Sequence, residues 1–220
     1  MSEPLIRCED VDFAYAEGLP VLAGCNFALC AEERLALVGP NGSGKTTLLH
    51  LIVGLLRPDG GTIEAFGRVR RREADFHEVR RRAGLLFQEA DDQLFCPTVA
   101  EDIAFGPLNL GKPRDEVRRI VSDTLASLGL AGYEHRITYK LSGGEKRLVA
   151  LATVLAMAPD VLLLDEPTSG LDDAAVDRLA EILAGLPQAM VIASHDREFL
   201  DRTTSRTVEL PGRNSPAEGL

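Results

Sequence analysis

A glycine-rich loop between a strand and a helix constrains this 220-residue chain most strongly. Residues 35–38 predict a short buried strand, and a helical pattern begins near Gly44 and runs to about Leu56. Between them, Gly39–Thr46 fits the spacing G-x-x-x-x-G-K-S/T. Glycines let backbone N–H groups approach phosphate oxygens, a lysine adds positive charge, and a threonine hydroxyl suits Mg²⁺. The segment therefore predicts a phosphate-binding loop rather than a glycine turn beside a solvated lysine.

Strands and helices alternate along most of the chain. Strand signals fall in residues 4–38, 62–87, 161–164 and 190–193. Helices are predicted from Ser142 onward and over about 172–184, and residues 88–141 read as a helical insertion. This order predicts an α/β core with parallel strands. We take residues 1–210 as one domain and residues 211–220 as a flexible tail.

A second predicted anion-binding element begins at Ser142. Ser142 and Glu145 have the spacing of a capping box, and Gly143 and Gly144 keep the first turn free of side chains. A helix N-terminus favours negative charge through its free N–H groups and its dipole. Glu145 completes the box but adds charge beside an anion, so whether it contacts a ligand stays open. Two such elements hold either two ligands or one ligand shared between two molecules.

Polar side chains follow three predicted strands. Asp165 and Glu166 end the apolar run Val161–Leu164, at the position where ligands bind in open α/β sheets. Asp165 suits Mg²⁺, and Glu166 is placed to polarise an attacking water. His195 follows another buried strand and is either a phosphate donor or, as is commoner, structural. Gln88 is either a ligand of Mg²⁺ and water or a plain surface side chain.

Charge and composition narrow the possible partners. The net charge of −10 and a pI of about 4.9 argue against a general nucleic-acid binder. Two basic clusters, Arg68–Arg72 and Arg80–Arg82, contrast with the acidic composition of the chain. Each is interpreted either as a solvated face or as a docking surface for a partner. The four cysteines form no C-x-x-C pair, which predicts inert reduced thiols in a cytosolic protein.

The sequence also bears on membrane association. The polar N-terminus predicts no signal peptide. No apolar run approaches the roughly 20 residues that span a bilayer. We therefore expect any link to a membrane to pass through another protein.

The order of these elements resembles the ATP-binding subunit of ABC transporters over about residues 4–200. The residues that carry the resemblance are the phosphate loop, Gln88, Leu141–Glu145, Asp165, Glu166, Asp172 and His195. The resemblance implies a P-loop NTPase core with an N-terminal antiparallel β subdomain and an inserted α-helical subdomain. It also implies an ATPase with ATP and Mg²⁺ as ligands.

Individual roles follow from the resemblance. Tyr15 is expected to stack on adenine. The phosphates are expected to lie against Gly39, Pro40, Asn41, Gly42, Ser43, Gly44, Lys45, Thr46 and Thr47. The expected Mg²⁺ ligands are Thr46, Gln88 and Asp165. The expected catalytic residues are Glu166 as base, His195 as γ-phosphate switch and Gln88 as sensor of the γ-phosphate and the membrane partner.

Other implied roles concern a second subunit. Ser142, Gly143, Gly144 and Glu145 are expected to contact ATP bound to the partner, and Asp172 is expected to lie in a cross-dimer loop. The resemblance implies a homodimer or a heterodimer of paralogous ATPase subunits. Our hypothesis is that Ser142–Gly144 complete the γ-phosphate site that Gly39–Thr46 of a partner begin.

A narrower likeness lies after Gln88. The segments Phe87–Phe95, Pro97–Val99 and Phe105–Leu110 resemble the ATPases of energy-coupling factor importers, which include cobalt, nickel and vitamin uptake systems. This likeness implies uptake of a transition metal, cobalt or nickel, with a vitamin such as biotin as the alternative. It implies an integral membrane coupling protein and a substrate-binding membrane subunit as partners, no nucleic acid, and a peripheral position on the cytoplasmic face of the cell membrane.

Two other readings are less favoured. A soluble ABC ATPase acting on DNA or ribosomes usually carries long coiled coils or two ATPase domains, and this acidic sequence shows neither. A non-catalytic ATP-binding module is disfavoured by the presence of Lys45, Glu166 and His195.

Overall fold

The computed structural model describes residues 3–15, 18 and 20–211. Within them, contacts divide the chain into two compact units. The sheet unit lies in the spans 1–85, 160–165 and 187–220, and the helical unit in the spans 86–159 and 166–186. The predicted flexible tail, apart from Pro211, lies outside the described residues.

The strands form two sheets within the described part of the chain. They are β1 (Ile6–Ala14), β2 (Pro20–Leu29), β3 (Arg34–Val38), β4 (Gly60–Ala65), β5 (Arg68–Arg70), β6 (Ala83–Leu86), β7 (Val161–Asp165), β8 (Ala189–Ala193) and β9 (Arg206–Glu209). One sheet has the order β2-β1-β4-β5, and its neighbouring strands pair in antiparallel orientation. The other has the order β6-β7-β8-β3-β9, and β7, β8, β3 and β9 pair in parallel.

The helices are distributed between the two units. They are α1 (Lys45–Ile52), α2 (Glu73–Arg82), α3 (Val99–Asn109), α4 (Arg114–Ser127), α5 (Gly143–Leu155), α6 (Asp173–Gly185) and α7 (Arg197–Thr203). Short 3₁₀ helices occur at Ala90–Asp92 and Thr138–Lys140. Among the described residues, none of these helices is both long enough and apolar enough to cross a bilayer.

The central strands are buried along their whole length. Every residue of β7 and β8 is buried, and both strands are almost wholly apolar. A parallel sheet covered on both faces produces such continuous apolar runs. The predicted α/β class with parallel strands is confirmed, as is the antiparallel sheet near the N-terminus.

The antiparallel sheet shows the alternation expected of strands with one buried face. In β1 the buried side chains include Ile6, Cys8 and Phe13, with exposed residues between them. Burial also raises the pKa of the Cys8 thiol, and it raises the pKa of Cys25 to about 11. Both thiols therefore stay protonated at neutral pH, as expected for inert buried cysteines.

One part of the sequence prediction is wrong. Strand signals were predicted across residues 62–87, but the structure places the helix α2 between β5 and β6. Phe76 and Val79 are buried three residues apart within α2, and charged residues surround them. Two apolar residues in a charged segment give too weak a helical period to recognise. The helix α1 also ends at Ile52 rather than near Leu56.

The helical unit contains most of the segment 88–141 that is predicted to be a helical insertion, together with later helices. On α4 the buried residues are Val117, Val121 and Leu125, which lie four residues apart on one face. The helix α3 begins at a capping box in which Thr98 and Glu101 bond each other's backbone N–H groups. The unit therefore builds its core from amphipathic helices with well-defined starts.

The basic clusters contain arginines with structural contacts. Arg70 is 6% exposed and donates to the Ala65 carbonyl at 2.8 and 3.1 Å, to the Asp75 carbonyl at 3.0 Å and to Glu78 at 2.8 Å. Arg80 donates to the Val53 carbonyl beyond the end of α1 at 2.9 Å. These contacts favour a structural role for Arg70 and Arg80 over the solvated face and the docking surface that were considered from the sequence.

Replacing Arg70 should destabilise the sheet unit. Arg70→Met keeps most of the side-chain length but leaves the Ala65 and Asp75 carbonyls without the donors they have in the native fold. We expect a loss of about 2–3 kcal/mol in the free energy of unfolding, measured by denaturant titration. The control is Arg81→Met, because Arg81 is exposed and should change stability by less than about 0.5 kcal/mol. Equal losses in the two variants would contradict a structural role for Arg70.

Candidate functional site

The predicted phosphate loop connects β3 to α1 in the sheet unit. Gly39 has a φ of 151°, and a Cβ there would lie 2.6 Å from Ser43 Oγ and 2.7 Å from the Leu210 carbonyl oxygen. Gly44 has a φ of 98° and is the N-cap of α1. Both positions need glycine, because side chains at these positions would be strained or would clash. The path of the loop is therefore fixed by its own glycines.

The start of α1 offers backbone donors without a side-chain cap. Gly44 makes no capping hydrogen bond, and the first turn contains no acidic residue. The first N–H groups of any α-helix lack intrahelical partners, and the helix dipole makes this end attractive to anions. The loop therefore presents an electropositive backbone surface of the kind that binds phosphate.

Lys45 and Ser43 complete this surface. Lys45 is 8% exposed, and its Nζ donates back to the carbonyl oxygens of Gly39 at 2.9 Å and Pro40 at 3.3 Å. Ser43 is 2% exposed, and its Oγ has no hydrogen-bond partner among the described residues. A buried hydroxyl normally has a partner, so this one fits an oxygen-rich ligand in the loop. The residues present thus fit a bound phosphate group.

Tyr15 lies on the same unit as the loop. Its hydroxyl is 3.1 Å from Thr47 Oγ1, and its ring packs edge-on against Phe13 with centroids 4.9 Å apart. The side chain is half exposed, so one part of the ring faces solvent. The stacking of Tyr15 on adenine stays a prediction, and its bond to the loop residue Thr47 is compatible with it.

Two strand-end residues lie on neighbouring strands beside the loop. β7 pairs in parallel with β8, and β8 pairs in parallel with β3. Asp165 ends β7 and is 1% exposed, while His195 follows β8. A cavity of about 330 Å³ at this edge is lined by residues that include Gly39, Pro40 and His195. The sheet unit therefore brings the loop, Asp165 and His195 to one edge, as parallel pairing predicts.

The predicted anion-binding turn at Ser142 lies in the helical unit, at the start of α5. Ser142 Oγ accepts from the Glu145 N–H at 3.3 Å, and Glu145 Oε2 accepts from the Ser142 N–H at 2.8 Å. This confirms the predicted capping box. Gly143 and Gly144 form the first turn without side chains, so the backbone of that turn stays accessible.

The Ser142 turn contacts the loop that contains Asp172. A Cβ at Gly144 would lie 3.6 Å from the Ala175 Cβ, and one at Gly143 would lie 3.8 Å from the Gly170 carbonyl oxygen. Asp172 caps α6 by accepting from the Ala175 N–H at 2.8 Å. The helical unit therefore places the two segments expected to face a partner subunit side by side.

Glu166 directly follows β7 and is 9% exposed. Its φ is 42°, a left-handed conformation that a glutamate rarely adopts. Such strain costs about 1–3 kcal/mol and persists where the surrounding structure imposes it, often at functional sites. The backbone conformation of Glu166 therefore supports a functional role, which the acidic sequence motif alone did not distinguish from an ordinary loop.

Gln88 is held by a residue that the sequence analysis missed. Arg147, buried on α5, donates to the Phe87 carbonyl at 2.7 Å and to the Gln88 carbonyl at 2.5 Å. Both bonds are made to backbone carbonyl oxygens, so the Gln88 side chain takes no part in them. The available signal was an arginine directly before the apolar run that begins at Leu148, but only the fold shows what it contacts.

Two further residues missed by sequence reasoning hold Glu145. Glu145 Oε1 accepts from the Tyr133 hydroxyl at 2.7 Å and from Arg136 Nη1 at 2.9 Å. The Tyr133 hydroxyl and the Ser142 N–H and hydroxyl, together with the Arg136 charge, lower the pKa of Glu145 to about 2. Glu145 is therefore ionised at neutral pH, and it bonds within its own chain.

Five large apolar side chains are exposed among the described residues of the helical unit. They are Phe95 (65% exposed), Phe105 (47%), Leu108 (46%), Ile137 (36%) and Tyr139 (72%). The rings of Phe95 and Phe105 meet edge-on with centroids 4.8 Å apart, and Leu108 lies one turn beyond Phe105 on α3. Exposed aromatic groups in contact with each other are typical of a protein-binding surface.

Comparisons with known proteins bear on the family to which the chain belongs. The profile of the family described as ABC transporter matches residues 22–169. A Nitratidesulfovibrio vulgaris protein, provisionally named an ABC transporter ATP-binding protein, is 52% identical over 201 residues, covering 91% of this chain and 74% of that protein. The energy-coupling factor transporter ATP-binding protein EcfA of Methanothermobacter thermautotrophicus is 42% identical over 219 residues, covering 98% of this chain and 70% of that protein.

A solved structure supports the same relationship. The structure of cbiO1 from Clostridium perfringens, described as part of the ABC transporter complex cbiONQ, has a TM-score of 0.85 at 32% sequence identity. It covers 95% of this chain and 85% of the cbiO1 chain. The profile covers most of the sequence, and the resemblance predicted from the motifs is confirmed. The chain therefore belongs to the ABC transporter family, as one of its ATPase subunits.

Proposed function

We propose that this chain is the ATP-hydrolysing subunit of an energy-coupling factor importer, and that ATP joins two such subunits face to face. The observation that supports the proposal is that this chain contains two glycine-containing helix starts suited to anions, at Gly44 and at Ser142. EcfA of M. thermautotrophicus and cbiO1 of C. perfringens support the importer type.

The phosphate loop would hold ATP. Its triphosphate would lie against residues 39–47, where the buried Lys45 and the unpaired Ser43 hydroxyl meet the backbone donors of α1. Thr46, Gln88 and Asp165 would hold Mg²⁺, which neutralises charge on the phosphates when bound. Tyr15 would stack on the adenine. We treat the whole of residues 1–210 as one ATPase domain and residues 88–141 as its helical insertion.

Hydrolysis would use residues near the ends of the central strands. Glu166 would take a proton from the attacking water, and His195 would donate to the γ-phosphate. Gln88 would sense the γ-phosphate and transmit its presence to the membrane partner. The bonds from Arg147 to the Gln88 backbone support this role, because they tie that segment to the helix that begins at Ser142.

The partner subunit would complete each site. Ser142, Gly143 and Gly144 of one subunit would contact the γ-phosphate held by the phosphate loop of the other, and Asp172 would lie in the same interface. The contact between the Gly144 turn and the Ala175 region supports this assignment, because the two segments form one surface. The two subunits would be identical or paralogous.

The exposed apolar side chains support docking on a membrane protein. Phe95, Phe105 and Leu108 are exposed apolar side chains on a chain whose net charge is −10. Such a surface suits an integral coupling protein better than anionic lipid, which would repel an acidic protein. The chain would then sit peripherally on the cytoplasmic face of the membrane, with a substrate-binding subunit beside the coupling protein.

Cobalt or nickel is the proposed cargo, and a vitamin such as biotin is the alternative. The segments after Gln88 support an energy-coupling factor importer, and cargo contacts would lie on the other subunits. Co-purification with integral membrane subunits, followed by uptake of radiolabelled cobalt, nickel and biotin in cells with and without Lys45→Ala, would test this. Association with DNA or ribosomes instead of membrane subunits would favour a soluble ABC ATPase.

Glu166→Gln should trap the ATP-bound dimer. The amide cannot accept the proton of the attacking water, so turnover should fall by about 10²-fold or more. With ATP and Mg²⁺ present, sedimentation velocity should then show a stable dimer. The Glu181→Gln variant is the control, since Glu181 is an exposed residue of α6 and should leave turnover unchanged. A Glu166→Gln protein that stays monomeric at saturating ATP would contradict the face-to-face mechanism.

Ser142→Arg should abolish hydrolysis without abolishing ATP binding by the monomer. The long side chain would fill the turn that is proposed to meet the partner's γ-phosphate, whereas the phosphate loop is a separate element. ATP affinity of the monomer, measured by fluorescent-nucleotide titration, should change by less than about threefold. Thr98→Arg is a matched control, because it removes the equivalent cap of α3. Equal loss of binding and hydrolysis in Ser142→Arg would show that the site is not shared.

A further inference from the structure

Two helices of the helical unit begin with nearly the same capping box. At α5, the Ser142 N–H and hydroxyl donate to Glu145 Oε2 at 2.8 and 2.9 Å. At α3, the Thr98 N–H and hydroxyl donate to Glu101 Oε2 at 3.0 and 2.8 Å. The two boxes should therefore contribute similarly to helix formation.

The α5 box differs in what holds its glutamate. Glu145 Oε1 accepts from the Tyr133 hydroxyl and from Arg136, whose guanidinium carbon lies 3.6 Å from the centre of the Tyr133 ring. Both carboxylate oxygens are thus occupied, and the glutamate is clamped in place. The Glu101 carboxylate bonds only Thr98 among the described residues. The α3 box caps its helix without bonds like those from Tyr133 and Arg136. Helix capping alone therefore does not require these two bonds at α5.

The clamp has a consequence for the Ser142 hydroxyl. A serine hydroxyl has one proton to donate, and here that proton is directed at Glu145 Oε2. A phosphate oxygen is an acceptor only, so it can gain a hydrogen bond from Ser142 only if the hydroxyl turns away from Glu145. A phosphate at the turn would therefore compete with the Glu145 carboxylate for the hydrogen bond from the Ser142 hydroxyl.

We propose that Glu145 is a positioning residue that competes with the partner subunit's nucleotide for the Ser142 hydroxyl, and that Tyr133 and Arg136 set the strength of this competition. The inference rests on the proposed function, in which Ser142 meets ATP held by a second copy. It makes Glu145 a brake on ATP-driven dimerisation rather than a contact of the nucleotide.

Substitutions of Glu145 and of Tyr133 should change ATP-driven dimerisation in opposite directions. Glu145→Gln replaces a charged acceptor by a neutral one, which holds the hydroxyl less strongly and removes negative charge near the phosphate. Tyr133→Phe removes a donor that draws charge away from the carboxylate, so Glu145 should hold the hydroxyl more strongly. A purely structural role would make both variants shift dimerisation in the same direction, because each removes a bond that supports the fold.

The test uses the full chain carrying Glu166→Gln, so that dimers persist. Sedimentation velocity at increasing ATP, with Mg²⁺ present, gives the ATP concentration at half-dimerisation. Relative to the background, Glu145→Gln should lower this concentration by about fivefold, as expected for the difference between a charged and a neutral hydrogen bond. Tyr133→Phe should raise it by about twofold. Glu101→Gln, the matched change in the α3 box, should leave it unchanged.

The possible failures are distinct. A background protein that forms no dimer at any ATP concentration would overturn the proposed function. A background that dimerises, with Glu145→Gln matching Glu101→Gln or requiring more ATP, would overturn the competition alone. Shifts of Glu145→Gln and Tyr133→Phe in the same direction would also overturn it, because they would assign the clamp to fold stability.

Discussion

The parallel pairing of β3, β7 and β8 is the constraint on which the sheet unit's part of the site depends. The carboxyl ends of parallel strands lie at the same edge of a sheet, so the residues that follow them are brought close together by the pairing itself. Here that edge receives the phosphate loop after β3, Asp165 at the end of β7 and His195 after β8. β7 and β8 are almost wholly apolar and fully buried, so a shift in register would bring polar strand-end groups into the core. Burial of the strands thus fixes the positions of the polar groups.

The two helix starts that are predicted to bind anions differ in how their free N–H groups are satisfied. At α1, the N-cap is a glycine with no side chain to satisfy the free N–H groups, which leaves them for a ligand. At α5, the N-cap is Ser142, whose side chain satisfies part of the helix start within the chain. An uncapped helix start should bind an anion directly, because its N–H groups are free. A capped helix start should bind an anion only if the anion displaces the capping hydrogen bonds. This difference suits a loop that holds nucleotide in the monomer and a turn that acts only when a second subunit arrives.

Local motifs could be predicted from the sequence, because their chemistry depends on neighbours a few residues away. The phosphate loop, the Ser142 box and the pair Asp165 and Glu166 are of this kind. Arg147, Tyr133 and Arg136 could not be predicted, because each acts on a residue that only the tertiary fold brings near. The helix α2 was missed for a different reason: its buried face holds few apolar residues, and Arg70, the buried cation beside it, looks like a surface residue in the sequence.

Asp102 shows how the helical unit supports its exposed apolar surface. It is 3% exposed and forms no ion pair with any described residue, so its carboxylate depends on hydrogen bonds from the N–H groups of Phe95 and Cys96 and from the Thr138 hydroxyl. Burial and this carboxylate raise the pKa of Cys96 to about 11, which keeps the thiol protonated.

Burying a carboxyl group is costly unless hydrogen bonds satisfy it, and apolar side chains at the same site would avoid that cost. Asp102 instead fixes the backbone directly beneath the exposed ring of Phe95. An exposed aromatic side chain on a rigid base loses little conformational entropy when a partner covers it. The buried carboxylate and the exposed ring each depart from what stability alone favours. Together they form a rigid exposed apolar surface, as required by the proposal that this face docks on a membrane protein.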